Sequence, residues 1–188
     1  MTGNQKQLKE VAARAKAFET EREPERLREA FLALDDVVLA QEADPEERAL
    51  LRAAVLGWWL QLLQTLDEHL DPAFDPKDKP QVLVEPPPTS SGAVLRPGAD
   101  PALIDDPAAR AAYEKAIAEN RKKAERYRMN VHLGRLNQQV TPRSEVFIRS
   151  AYTKSVADQA EVRAAVEKTI ENPARKAALL AVLASPKP

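Results

Sequence analysis

The sequence predicts an all-α fold, with an N-terminal three-helix bundle and a C-terminal long helix plus three short helices, joined by a proline-rich connector. Three observations predict it. Apolar residues recur at spacings of three and four over most of the chain, the period of an amphipathic helix. Proline repeatedly follows a capping-type or acidic residue, at Glu23-Pro24, Asp44-Pro45, Asp106-Pro107, Thr141-Pro142 and Asn172-Pro173, and at a first helical position its missing N–H is no loss. Nine of the fifteen prolines crowd between Pro72 and Pro107, so that interval is neither helix nor regular sheet.

Reading between the start signals gives a first helix over about 5–22, a second over 24–41 and a third over 45–70. The second carries a stripe of Leu27, Phe31, Leu34 and Val38. The third carries Leu51, Val55, Trp58, Leu62 and Leu66, with Leu50, Trp59, Leu63 and Leu70 on an adjacent face. That breadth predicts cover on two sides, with the Trp58-Trp59 pair in the core and Gly57 at a close helix crossing. A fourth, long helix is expected over 107–139, with Tyr113, Ile117, Ala124, Tyr127 and Val131 on one stripe passing to Met129, Leu133 and Leu136. Gly134 is a point where it would bend or weaken. Three short helices follow, over 142–155, 159–171 and 173–184, the second opened by the capping-box spacing Asp158-Gln159-Ala160-Glu161.

The connector, 71–105, contains Gln81-Val82-Leu83-Val84-Glu85, which has the composition of a short strand or groove-lying segment. Pro86-Pro87-Pro88, which favours polyproline II, and the flexible Thr89-Ser90-Ser91-Gly92 come next. So long a stretch without regular structure is unusual inside one domain. Residues 1–70, 71–105 and 106–188 therefore read as an N-terminal bundle, a linker tacked down by Val82, Leu83, Val84, Val94 and Leu95, and a C-terminal helical region. Charge divides the same way. Residues 1–70 carry nine basic and fourteen acidic side chains, 71–105 three and six, and 106–188 sixteen and nine. An acidic first region and a basic last one can attract each other, and docking would supply the third helix with cover.

The absence of cysteine excludes disulfides, thiolate nucleophiles and cysteine zinc sites. No stretch of about 18 apolar residues occurs, so no membrane span is expected. A chain that opens in charged helical sequence is expected in the cytoplasm, with export after removal of a signal peptide as the alternative. No glycine-rich phosphate loop, nucleophile elbow or histidine–glutamate zinc motif is present.

The ionisable residues give no chemistry of their own. His69, in Asp67-Glu68-His69-Leu70-Asp71, sits at a helix C-terminus, where imidazole serves the last carbonyls. Its neighbours point in different directions, which disfavours a metal site. His132 reads as a surface or interface residue. Asp35 and Asp36 diverge by about 100° on their helix and form no dyad. Asp35 interrupts an apolar stretch and, if buried, needs a basic partner, such as a residue of the C-terminal region. No catalytic, cofactor or metal residues are assigned, and no enzyme is expected.

What remains is a basic run, Arg121-Lys122-Lys123-Ala124-Glu125-Arg126-Tyr127-Arg128. Arg121, Arg128 and Arg135 are seven apart and so near one face. Arg121, Lys122, Arg128 and Arg135 are the candidate residues for binding an anion or a partner. Against this stands the simpler reading of a solvated face, with Glu114, Glu119 and Glu125 pairing the cations at helical spacing. The functional expectation is a non-enzymatic helical interaction or scaffold protein that binds a protein partner or a second copy of itself. Nucleic-acid or anionic-surface binding through the basic helix is the alternative.

Overall fold

The structure, a computed structural model, describes residues 3–39, 45–81, 83–151 and 156–184. Among these residues the regular elements are α1 (Gly3–Glu21), α2 (Pro24–Leu39), α3 (Pro45–His69), a 3-10 turn (Pro101–Leu103), α4 (Pro107–Ala151), α5 (Val156–Thr169) and α6 (Pro173–Ala184). The all-α expectation holds. Several boundaries differ for physical reasons, and the expected ends of the second and fifth helices, with Asp44 and Ser155, lie outside the described residues.

The Thr141-Pro142 signal does not start a helix. Pro142 lies inside α4, where a proline removes one backbone hydrogen bond at a cost of roughly 3 kcal/mol or more. The carbonyl that loses its amide is that of Gln138, and both Gln138 and Pro142 are exposed, open to water. On the opposite face Val140, Ser144, Phe147 and Ile148 are buried, and their burial holds the helix together across the proline. Gly134 likewise leaves α4 uninterrupted. The capping box also shifts, because α5 begins at Val156 and Asp158 is already helical.

Two other signals act as read. Asp106 accepts the amides of Ala108 and Ala109 at 3.3 and 3.1 Å, and Asn172 accepts those of Ala174 and Arg175 at 3.0 and 3.2 Å. Each satisfies donors that the helix itself cannot. Asn172→Ala is expected to cost about 1 kcal/mol, seen as a lower urea midpoint with an unchanged slope.

By packing the chain divides into two units, Met1–Asp71 with His132–Pro188, and Pro72–Val131. In this division the connector groups with the first part of the long helix, and the region 106–188 is shared between the units.

In the first unit the breadth of α3 is explained by its neighbours. Val55, Leu56, Trp59, Leu60, Leu62, Leu63 and Leu66 are all buried. Buried in the same unit are Val11 and Phe18 of α1, Leu27, Phe31 and Leu34 of α2, Leu133, Leu136, Phe147 and Ile148 of α4, Val162 and Val166 of α5, and Leu179, Val182 and Leu183 of α6. Trp59 is the hub. Its ring meets Phe31 edge-on at 5.4 Å and stacks on Phe147 at 5.1 Å, while its indole N–H donates to Ser144 Oγ at 2.8 Å. Trp58 is only half-buried, and a Cβ at Gly57 would meet nothing within 4 Å. The close crossing expected at Gly57 is thus absent, because this glycine faces outward.

Acid–base pairs join the acidic and basic regions inside this unit. Asp35 of α2, part-buried, pairs with Arg143 of α4 at 2.6 Å, the kind of partner the sequence reading required. Asp67 of α3 and Arg175 of α6 form a two-pronged pair at 2.6 and 2.7 Å, with side chains only 7% and 9% exposed. Arg175 also reaches Asn137 Oδ1 at 2.6 Å and Thr141 Oγ1 at 3.3 Å. The guanidinium therefore fastens three helices, and each of its buried donors finds oxygen. Nearby, Gln64 accepts the amide of Glu171 at 2.8 Å, which ties α3 to the α5–α6 turn.

Candidate functional site

The second unit, Pro72–Val131, is organised by a simple imbalance. A proline-rich backbone carries carbonyl acceptors but few N–H donors, so whatever holds it must donate. The first part of α4 does so. Tyr127 Oη donates to the Pro76 carbonyl at 2.8 Å, and Asn120 Nδ2 to that of Gln81 at 2.8 Å. Tyr113 Oη lies 3.3 Å from the carbonyls of both Val84 and Ala99. Arg110 donates to the Ile104 carbonyl through Nε at 3.0 Å and Nη2 at 2.7 Å.

Tyr113, Asn120 and Tyr127 are seven apart, so they form one column with steps of two turns, about 10.5 Å each. The strap meets them in reverse order and thus runs antiparallel to α4. Phe74 packs on Tyr127 at 5.4 Å, and Ile104 is buried at the other end.

Beyond Val84 the strap loops out and returns. The loop closes where the Gly98 amide donates to the Val84 carbonyl at 3.0 Å. Gly98 has φ +78°, a backbone conformation in which a side chain is strained, so glycine is favoured there. At the tip Thr89 and Ala93 bond each other, with the Ala93 amide on Thr89 Oγ1 at 2.9 Å. Leu83, Val94 and Leu103 are 53%, 91% and 55% exposed. Of the residues expected to tack the connector down, Leu83 and Val94 therefore do not, and Val82 lies outside the described residues. Val84 does contribute, through its backbone carbonyl. The strand suggested by Gln81–Glu85 pairs with nothing in sheet fashion among the described residues.

The four basic candidates are all exposed on α4. Arg121, Lys122 and Arg128 belong to this unit and Arg135 to the other. Arg121 pairs with Glu125 at 3.1 Å while remaining 80% exposed.

Outside this unit the other sequence candidates hold structural contacts. His69 has Nδ1 2.9 Å from the Thr65 carbonyl, in the last turn of α3, as its C-terminal position suggested. The ring meets Phe18 edge-on at 4.9 Å, and Nε2 faces the guanidinium of Arg22. With Nδ1–H donating to Thr65, Nε2 is the acceptor. Arg22 itself ends α1 in the left-handed region, φ +56°. Arg26, at the start of α2, holds its proton more firmly than usual, through its hydrogen bond to Glu21 and then that to Glu29. His132 is exposed. Among the described residues no group of three or more His, Asp or Glu is placed to hold a metal ion, and no helix is long and apolar enough to cross a membrane.

The donor column is the feature that sequence reading missed. Tyr113 and Tyr127 look like members of an apolar stripe, and Asn120 looks like an ordinary polar residue. The available signal was their seven-residue spacing on a helix that follows a proline-rich stretch. Asn120→Ala removes one donor near the middle of the hold, so exchange of the hydrogen-bonded amides beside it, Asp78 and Lys79, is expected to rise several-fold while exchange in α3 stays unchanged. Hydrogen exchange with mass spectrometry checks this. No protein-family model matches the chain, and neither does any curated protein or solved structure.

Proposed function

We propose that the chain is a non-enzymatic helical interaction or scaffold protein and that Pro72–Val131 is its partner-facing unit. The observation that carries this reading is the exposure of large apolar side chains on the strap: Leu83, Val94 and Leu103 stand more than half open to solvent. A loop closed at its base by its own Gly98–Val84 bond loses little further entropy on binding, which favours its use as a presented surface. The polar residues that could suggest catalysis, Asp35, Asp67 and His69, are instead engaged in holding helices together.

The test is affinity capture with the intact chain and with a variant carrying Leu83→Ser, Val94→Ser and Leu103→Ser. A protein retained by the first and lost by the second supports the reading. Identical captured sets would remove Pro72–Val131 as the partner-facing unit.

A second reading, polyanion binding through Arg121, Lys122, Arg128 and Arg135, draws support from the exposure of all four side chains. It requires affinity for single-stranded DNA to fall steeply with salt and to vanish when all four are changed to Glu. No shift even at low ionic strength would end it.

A further inference from the structure

The face of α4 that holds the strap has a second periodicity. Tyr113, Ile117, Asn120, Ala124, Tyr127 and Val131 are separated alternately by four and three residues, the spacing of a coiled-coil seam. The strap occupies one column of that seam: Tyr113, Asn120 and Tyr127 are the residues that donate to its carbonyls. The other column, Ile117, Ala124 and Val131, is left half-buried, and its β-branched Ile117 and Val131 are of the kind that favours a helix as neighbour.

Charge selects the neighbour. The positions flanking the seam are Glu114, Arg121 and Arg128 on one side and Ala116, Lys123 and Asn130 on the other, so cations outnumber anions three to one. A second copy would gain little from charge: a parallel pair sets Lys123 opposite Arg128, and in a centred antiparallel one the Arg121–Arg121 and Lys123–Lys123 repulsions offset the two Glu114–Arg128 attractions. A helix flanked by carboxylates would match these positions. We propose that this face receives an amphipathic helix of another protein, with an apolar seam and acidic flanks, which displaces the strap from its column. This names the partner class for the unit and rests on the reading of Pro72–Val131 as partner-facing.

The strap suits a displaceable cover. Between its apolar ends at Phe74 and Ile104, its hold consists of individual side-chain bonds to backbone carbonyls, which the polar groups of water or a partner can replace.

The test uses the full chain and two labelled synthetic helical peptides of about three heptads with Leu and Ile at the seam, one flanked by Glu and the other by Lys. The Glu-flanked peptide is expected to bind at least about tenfold more tightly. Binding should raise exchange of the hydrogen-bonded strap amides Asp78 and Lys79, and Asn120→Ala, which loosens the strap, should strengthen it. Ile117→Asp should abolish it. Arg128→Glu changes an exposed residue outside the core and should remove the preference for the Glu-flanked peptide. Equal affinities, binding unaffected by Ile117→Asp in a folded protein, or binding without strap release would each overturn the proposal. So would full displacement of the peptide by single-stranded DNA together with indifference to Ile117→Asp, since charge alone would then explain the binding. If neither peptide binds while capture still depends on Leu83, Val94 and Leu103, the partner chemistry is wrong and the partner-facing unit stands.

Discussion

Asp67→Ala is expected to lower the stability of the helical unit by about 3–5 kcal/mol, the range for removing one partner of a buried ion pair. The reason is what it leaves behind. Arg175 would keep its charge with only Asn137 and Thr141 as neutral acceptors, in a place where its side chain is 9% exposed. A surface pair of the same geometry would contribute at most about 1 kcal/mol. The two cases separate cleanly in urea denaturation. Replacing both residues by apolar ones, Asp67→Leu with Arg175→Met, should cost far less than the single change, because no charge is then stranded. A loss under about 1 kcal/mol for Asp67→Ala would mean that water reaches the site freely.

Trp59→Ala is the other large effect, about 3–5 kcal/mol for emptying an aromatic site in a core. Trp59 is 1% exposed and lies between Phe31 and Phe147, so its removal separates α2 from α4 as well as creating a void. Trp59→Phe should be much milder, since a ring remains for both partners and the loss is confined to volume and the bond to Ser144. Thermal unfolding followed by circular dichroism ranks the two. Equal losses would show that the indole N–H, rather than the packing, dominates.

The helix faces were legible because burial imposes a period on the sequence. Leu27, Phe31 and Leu34, Val162, Val166 and Ile170, and Leu179 and Leu183 are buried as their spacing implied. Asp35 was legible for the opposite reason, since a carboxylate in an apolar stretch calls for a cation, and Arg143 supplies it. Thr141-Pro142 misled because a start signal is local. Whether a helix stops there depends on distant residues, here Trp59 gripping Ser144 and Arg175 gripping Thr141. The connector misled for a different reason. Its hold uses backbone carbonyls, which every residue possesses, so no side-chain pattern within the strap announces it. The basic candidates were legible as exposed cations, but spacing along the sequence did not reveal that Arg135 belongs to a different unit from the other three.

Recognition through carbonyls also sets how each side of the contact tolerates change. Pro76, Gln81 and Val84 present to α4 an atom common to all residues, so most substitutions there leave the contact chemically intact. Tyr113, Asn120 and Tyr127 present side-chain donors that few residues supply at that reach. A saturation scan scored by strap protection should therefore be lopsided, permissive along the strap and restrictive at three positions of the helix. Gly98 is the exception on the strap side, where backbone conformation rather than chemistry favours glycine. Such a segment can drift in sequence while keeping its place, and its composition, rather than its order, is what selection can hold.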